Sequence, residues 1–299
     1  MSQASHRIQN YGQGTWDISG TLAPSTGVDP KVRELFLQEV KRVGDVPLLP
    51  PVAREVMALL RDQQSGMNQI AMVVRKDPAM AAHLLRIANS AAYVGTSPIT
   101  SIRMALVRLG AEGMKRFLLS TSAARMLVVA KRPDLSARLQ VRSVGVSNAA
   151  ARVATHFGTD ADAAFVGGLL HDVGWAIGYG LLHRLLPSLP PKFRDDEALV
   201  HGTIEALHTD IGAALAENWK LPPNAVDAIR GHHDPFDSGA GLMAYVVYAA
   251  SHLCDSLGIG PVEPLVGNLV DDPVMRRLRI DQPAVDRILA GLKQDLGQR

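Results

Sequence analysis

The chain has little cysteine and almost no net charge. Its one cysteine, Cys254, excludes an internal disulfide and a cysteine-based zinc cluster, and it is typical of a reducing cytosol. The 31 basic residues nearly balance the 29 acidic ones, so the sequence predicts no strong electrostatic attraction to nucleic acid or to an anionic membrane. We therefore expect neither of these as a partner.

Long apolar runs are also lacking. Residues 1–28 are polar and contain glycine, without the apolar centre of a signal peptide. The longest apolar stretches, such as 241–254, are too short or too interrupted by polar residues to span a bilayer. We expect a cytoplasmic protein in which residues 1–28 form a flexible leader.

Alternating, strand-like segments are absent as well, and helical signals fill the chain instead. At Asp29-Pro30 an aspartate N-cap precedes a proline at the first helical position, and apolar residues then recur at helical spacing. Asp77-Pro78 repeats this pattern, and Gly158 fits the C-cap of a long preceding helix. The sequence predicts an all-α protein.

The composition changes near residue 133. Beyond the leader, His83 is the only histidine before this point, and the others follow it. We therefore predict an N-terminal helical subdomain over 29–133 and a second helical subdomain over 134–299. Any chemistry is expected in the second.

Four positions in this second part carry side chains that can bind metals: the pair His171-Asp172, His208, the pair His232-His233, and Asp234 beside it. Imidazole nitrogen and carboxylate oxygen suit iron, manganese, zinc or magnesium. Helices of a bundle can direct such side chains to one interior point. A metal bound there would lower the pKa of water and neutralise a phosphate leaving group.

The spacing of these residues does not by itself establish a metal site. Neighbouring residues of a helix point about 100° apart, so His171 and Asp172 could share a metal only near a helix end or with both side chains bent inward. From the residues alone, a hydrogen-bonded structural role is favoured for that pair. A helix-end cap or turn is favoured for His232-His233, and His208 is expected to line its helix against a neighbour.

In ordered combination, the motifs make the chain recognisable. It resembles the HDOD family, a non-catalytic-looking branch of the HD superfamily of metal-dependent phosphohydrolases. The resemblance is carried by KDPAMAAHLLRIANSAAY (76–93), SPITSIRMALVRLGAEGMKRFLL (97–119), GGLLHDVG (167–174), EALHTDIGAALAENWKLP (205–222) and AIRGHHDP (228–235). It implies an N-terminal helical bundle packed on an HD-like helical bundle, and a role in bacterial signal transduction.

Two positions depart from the ligand pattern of a working HD hydrolase. The first histidine of that pattern should lie within 141–150, where Arg142 stands, and its last aspartate within 246–258, where we align Ser251. Asp255 lies one turn further, so a small shift in the alignment would restore a carboxylate. The resemblance therefore implies a site that has lost two ligands.

Two further substitutions bear on chemistry. The related HD-GYP enzymes, which cleave cyclic di-GMP, carry a lysine where this chain has Trp175. Arginine stays protonated, so Arg142 would repel a cation and could instead pair with Asp172 or with a bound phosphate.

We therefore expect a non-catalytic regulatory or interaction module of bacterial signal transduction, with a degenerate metal site, protein partners and no required cofactor. One alternative is a metal-dependent phosphohydrolase or phosphodiesterase, with iron, manganese, zinc or magnesium held by the retained residues His171, Asp172, His208, His232 and His233. Another is a module that senses a nucleotide or other anion in the same pocket, with Arg142 as the contact.

Overall fold

The computed structural model describes residues 28–43, 51–62, 64–90, 99–236, 239, 241–259 and 268–296. Helices fill most of these ranges, and no strand occurs within them. The predicted all-α class is confirmed. The predicted leader, residues 1–28, lies outside the described residues except for Val28.

The helices follow one another as α1 (Pro30–Val43), α2 (Pro51–Arg61), α3 (Met67–Val74), α4 (Pro78–Ala88), α5 (Ile102–Met126), α6 (Pro133–Phe157), α7 (Ala161–Leu170), α8 (Val173–Leu185), α9 (Glu197–Asn218), α10 (Pro223–Gly231), α11 (Leu242–Ser256), α12 (Pro273–Arg277) and α13 (Gln282–Asp295). The apolar periodicity predicts a start near Thr203 for α9. The helix begins earlier because the Asp196 side chain accepts a hydrogen bond from the Leu199 amide at 2.8 Å. The short helix α12 has no counterpart among the predicted elements.

Aspartate N-caps and a glycine C-cap mark helix boundaries where the sequence predicts them. Asp77 accepts a hydrogen bond from the Met80 amide at 3.0 Å at the start of α4. Asp160 accepts one from the Ala163 amide at 2.9 Å at the start of α7. Gly158 ends α6 in the left-handed region, with φ at 82°, where side-chain-bearing residues are strained. Local sequence signals thus determine where α6 ends and where α7 begins. These two helices lie beside the site described below.

Gly110 kinks α5 rather than ending it. The periodicity predicts a helix over 101–109 that stops at this glycine. In the structure, helical backbone lies on both sides of Gly110, whose φ is 67°. The predicted break is therefore present as a kink within one element.

The buried apolar side chains form separate clusters along the chain. One cluster lies among α2 to α5 and includes Val56, Leu84 and Leu106. Another lies among α6, α7, α11, α12 and α13 and includes Val246 and Met275. The first helix belongs to neither of these.

Helix α1 packs on α8 and α9 although it precedes α2 in the chain. Phe36 and Val40 are buried in the same cluster as Ile204, and Arg33 Nε lies 2.9 Å from an Asp210 carboxylate oxygen. Helix α1 therefore shares its core with helices beyond residue 133. The subdomain boundary at that residue stays a prediction.

One stretch among the described residues, Ala161–Leu185, is long and apolar enough to cross a bilayer by length and composition alone. It covers α7 and α8, and 72% of its most apolar window is buried against the rest of the structure. Buried core helices pass the same test, so the packing of α7 and α8 accounts for their composition.

Candidate metal centre

The pair His171-Asp172 lies at the junction of two helices. His171 is the C-terminal cap of α7, and Asp172 is the N-terminal cap of α8, with φ at −100° and ψ at 10°. Both are buried, with exposed fractions of 0% and 6%. The pair thus lies at a helix end, which is one of the two geometries that allow adjacent residues to reach a common point. The 100° separation of neighbouring side chains within a helix therefore does not apply to it.

Glycines bring the surrounding backbones close to this pair. A Cβ atom on Gly174 would lie 1.8 Å from the carbonyl oxygen of His208, and one on Gly168 would lie 2.8 Å from that of Val146. Both positions therefore require glycine, and they let α8 touch α9 and α7 touch α6. The close approach of α8 to α9 places Asp172 beside His208.

Three histidines are oriented in the same way. The Nδ1 atom of His171 donates to the carbonyl of Gly168 at 2.7 Å, and that of His232 donates to Ile229 at 2.9 Å. His208 makes the equivalent contact with the Glu205 carbonyl at 2.5 Å. Because a carbonyl only accepts, Nδ1 carries the proton in each ring. In the neutral form, Nε2 is then left with a free lone pair, as in a metal-ligating histidine.

These lone pairs converge on one carboxylate. Asp172 Oδ1 lies 3.5 Å from His232 Nε2 and 3.6 Å from His208 Nε2, and His208 Nε2 lies 3.0 Å from His233 Nε2. Ligand atoms of these four residues all lie within 4.8 Å of one another. A tetrahedral ion with bonds of 2.0–2.1 Å separates its ligand atoms by about 3.3 Å. The closest separations therefore fit a single small ion.

The electrostatics of the group also favour a cation. Burial lowers the pKa of His208 to about 4 and lowers the pKa values of His232 and His233 as well, so these rings are neutral near pH 7. Burial opposes the charge of Asp172, but the neighbouring His171 and His232 lower its pKa well below the ordinary value. The group therefore combines an ionised carboxylate with neutral imidazoles, which are the protonation states in which these side chains bind a metal ion.

Two of these nitrogens also lack a hydrogen bond. The Nε2 atoms of His171 and His232 are buried without a partner of acceptable geometry, although Asp172 Oδ2 is only 3.0 Å from the former. Unpartnered buried nitrogens that point at a carboxylate fit the residues of a metal site.

Arg142 occupies the other side of Asp172. It is 8% exposed and extends from α6, and its guanidinium group bonds to the carboxylate of Asp255 and the hydroxyl of Ser251 on α11. Its Nε also lies 3.5 Å from Asp172 Oδ2. The two oxygens of Asp172 therefore face different groups: Oδ2 faces Arg142 and His171, whereas Oδ1 faces His208 and His232.

The structure brings together most of the residues singled out in the sequence. Asp172, His208, His232 and His233 form the group that could hold a metal ion, and His171 flanks it on the Oδ2 side. Asp234 is exposed and lies outside the group.

Arg142 and Ser251, the positions at which the resemblance implies lost ligands, touch one another. Asp255 enters as a further residue of the site: it is 2% exposed and bonds to Arg142. The sequence signal for it was its place one turn beyond Ser251 on the same predicted helix. Trp175, which the resemblance aligns with the HD-GYP lysine, stacks on His208 with ring centroids 5.2 Å apart.

A helical fold thus brings a buried His-Asp pair and further histidines to one point. The family model described as HDOD domain matches residues 46–235. The chain belongs to the HDOD family.

Relatives in sequence are longer than this chain. An uncharacterized protein of Treponema pallidum (strain Nichols) is 28% identical over 229 residues, which is 73% of this chain and 43% of that protein. Ribonuclease Y of Thermus thermophilus is 31% identical over 148 residues, which is 50% of this chain and 22% of the enzyme. The chain thus spans less than half the length of these relatives.

Solved structures share the fold at low identity. A protein of Shewanella amazonensis SB2B, provisionally named a metal-dependent phosphohydrolase, superposes with a TM-score of 0.60 at 18% identity, over 88% of this chain and 98% of its own. A protein of Marinobacter aquaeolei VT8, provisionally named a signal transduction protein, does so with a TM-score of 0.62 at 20% identity, over 94% and 66%. These likenesses establish the architecture.

Proposed function

We propose that this chain is a regulatory module of bacterial signal transduction that does not hydrolyse phosphate esters and that binds one metal ion in the remaining half of its HD site. The observation that carries the proposal is the buried guanidinium of Arg142 between Asp172 and Asp255. Membership of the HDOD family and the name of the Marinobacter protein support the signalling role.

The guanidinium group supplies positive charge where a metal ion would, but it cannot activate water as a metal ion does. It is permanently charged, so its single positive charge offsets part of the negative charge of the two carboxylates. It offers no open coordination position, so it cannot lower the pKa of a bound water. The Arg142 side of Asp172 is therefore not a place where a nucleophilic hydroxide could form.

The other side of Asp172 resembles a structural site. Asp172, His208, His232 and His233 supply four ligands, and the first three are buried. Four protein ligands complete a tetrahedral ion, whereas catalytic zinc sites keep one position for water or substrate. When bound there, a metal ion would hold the start of α8, the middle of α9 and the end of α10 together.

A phosphohydrolase is the competing function, and the retained histidines favour it. The Shewanella protein and ribonuclease Y are the neighbours whose names suggest such an activity. The deciding experiment assays the purified chain, loaded in turn with Mn²⁺, Fe²⁺ and Zn²⁺, on bis(p-nitrophenyl) phosphate, cyclic di-GMP and an RNA oligonucleotide. We expect rates equal to those of the metal-free protein.

Asp172→Ala and His171→Ala serve as the matched variants in this assay. A metal-stimulated rate in the wild type that both variants abolish would overturn the proposal. A stimulated rate that survives in both would come from a contaminating enzyme and would leave the expected result in place.

The anion contact predicted for Arg142 is disfavoured by its surroundings. Its guanidinium group already bonds to Asp255 and Ser251 and lies beside Asp172. An anion bound there would meet two carboxylates, and like charges at short distance repel. We propose that the module works through protein partners and, as predicted from the sequence, in the cytoplasm.

A further inference from the structure

Trp175 lies directly against one of the histidines of the metal centre. Its ring stacks on the ring of His208, with the centroids 5.2 Å apart and the planes 25° apart. Trp175 is only 3% exposed, so the indole covers one face of the imidazole and excludes water from it. The indole nitrogen is a donor only, so any effect of Trp175 on a metal ion must act through His208.

The close contact of α8 with α9 brings Trp175 to this position. Gly174 precedes Trp175 and lies so near to α9 that a Cβ atom there would be 1.8 Å from the His208 carbonyl oxygen. Because the two backbones meet at this point, the side chain of the next residue lies along α9 and not in solvent. The glycine and the tryptophan thus act together on the same turn of α9.

A second histidine of α9 contacts the indole as well. His201 and His208 are seven residues apart, which is about two turns, or about 10.5 Å along one face of a helix. The Trp175 ring centroid lies 5.1 Å from that of His201 and 5.2 Å from that of His208, so the indole fills the gap between them. Tyr179, one turn after Trp175 on α8, makes a hydrogen bond of 2.7 Å with His201 Nδ1. His201 therefore supports the indole and is itself held in place.

The other histidines of the centre approach His208 at its edge. The rings of His233 and His232 meet the His208 ring at 83° and 62°, and the Nε2 atoms of His208 and His233 are 3.0 Å apart. The lone pair of an imidazole nitrogen lies in the plane of the ring, so this plane sets the direction in which His208 can bind an ion. The hydrogen bond from Nδ1 to the Glu205 carbonyl holds one point of the ring, and the stacked indole holds its plane.

We infer that Trp175 is a positioning residue, which keeps the His208 ring in the plane that directs Nε2 to the metal ion, with His201 as its support. This role rests on the proposed function, since it requires the metal ion. Outer partners of this kind orient the ligands of metal sites and tune their affinity. Without the indole, the His208 ring would rotate more freely, and the site would lose affinity and its fixed geometry.

The test is Co²⁺ binding by the full chain. A competing chelator gives the dissociation constant, and visible absorption at saturating Co²⁺ gives the geometry, because tetrahedral Co²⁺ absorbs far more strongly than six-coordinate Co²⁺. We expect Trp175→Leu to raise the dissociation constant roughly 10–100-fold, as the loss of an outer-shell partner does, and to weaken the tetrahedral absorption. General destabilisation would leave the spectrum of the saturated site unchanged.

Two matched variants separate stacking from other effects. Trp175→Phe keeps an aromatic face against His208 and should retain most of the affinity and of the absorption. Trp219→Leu removes the tryptophan at the C-terminal cap of α9 and should change neither. Equal losses in Trp175→Phe and Trp175→Leu would contradict stacking as the cause.

If Trp175→Leu does not fold, His201→Leu takes its place, because it removes the support of the indole and leaves the ligand group intact. We expect a smaller change in the same direction. A wild type that binds no Co²⁺ would overturn the proposed metal site and this role with it. If the wild type binds Co²⁺ and the folded leucine variant matches it in affinity and spectrum, the metal site stands and the role of Trp175 is wrong.

Discussion

Arg142 and Asp255 form a buried ion pair that joins α6 to α11 across 113 positions of the chain. The side chains are 10% and 2% exposed. Such a pair is costly to break, because removal of one partner leaves the other charge buried and unpaired. It therefore provides the most direct test of the role assigned to the guanidinium group.

We expect Arg142→Met to lower the free energy of unfolding by about 3–5 kcal/mol, because Asp172 and Asp255 lose their shared counter-charge. Urea unfolding in EDTA measures this. Arg276→Met removes an arginine from an exposed pair with Asp271, and its effect should stay below about 1 kcal/mol. If Arg142 stands in for a cation, Mn²⁺ or Zn²⁺ should restore more stability to Arg142→Met than to the wild type. Equal effects of the two arginine substitutions would contradict the ion pair's importance.

Metal analysis of the purified protein should find one transition-metal ion per chain after reconstitution. His208→Ala, His232→Ala and His233→Ala should each weaken binding by more than the roughly 10–100-fold lost with an outer-shell partner. His252→Ala, which changes a histidine outside the group, is the control. Chelation should lower the melting temperature of the wild type, because the ion binds the folded state. A stoichiometry near zero under all loading conditions would refute the one-ion site.

Gly174 should tolerate no side chain. In Gly174→Ala the added methyl group would overlap the His208 carbonyl, whose distance from the Cβ position is 1.8 Å. We expect a loss of roughly 1–3 kcal/mol, or more where the backbone must shift, together with weaker metal binding. Gly180→Ala lies in the same helix with no atom within 4 Å of the added Cβ, and it should stabilise the protein by about 0.5–1 kcal/mol. Melting curves of the two variants should move in opposite directions.

Cys254 should be inert in the native protein. It is fully buried beside Asp255, and burial raises the pKa of its thiol to about 12. Because the thiolate is the reactive form, iodoacetamide at pH 8 should label Cys254 only when the protein unfolds. Mass spectrometry with and without urea checks this, and an exposed thiol introduced as Ala137→Cys should react in both conditions. Rapid native labelling of Cys254 would show that the α6–α11 interface opens.

The sequence predicted the parts of this structure that depend on neighbouring residues. Caps such as Asp77 and Gly158 act within a few positions, and the apolar period follows from each helix's own buried face. The contact of α1 with α8 and α9 joins distant segments, and no local pattern encodes it. The HDOD family was predicted from the order of its motifs, and the family match confirms it.

The same distinction between local and long-range features applies to the candidate site. The residue types and the HD pattern indicated the candidate side chains, but the convergence of Asp172 and His208 depends on the close approach of α8 and α9. The sequence alignment favoured Ser251 over Asp255 as the position of the last aspartate, although both residues lie on one face of α11. In the structure both residues bond to Arg142. Either alignment therefore points to a partner of the same guanidinium group.

Because Arg142 lies beside Asp172, part of the positive charge at this carboxylate does not depend on the metal supply of the cell. One of the positive charges beside Asp172 is encoded by the gene, and neither a chelator nor a fall in metal supply removes it. The ion proposed for the histidine side would instead be exchangeable with the surroundings. A domain with one permanent and one exchangeable counter-charge on the same carboxylate would keep its fold when metal is scarce and would tighten α8, α9 and α10 when metal is present.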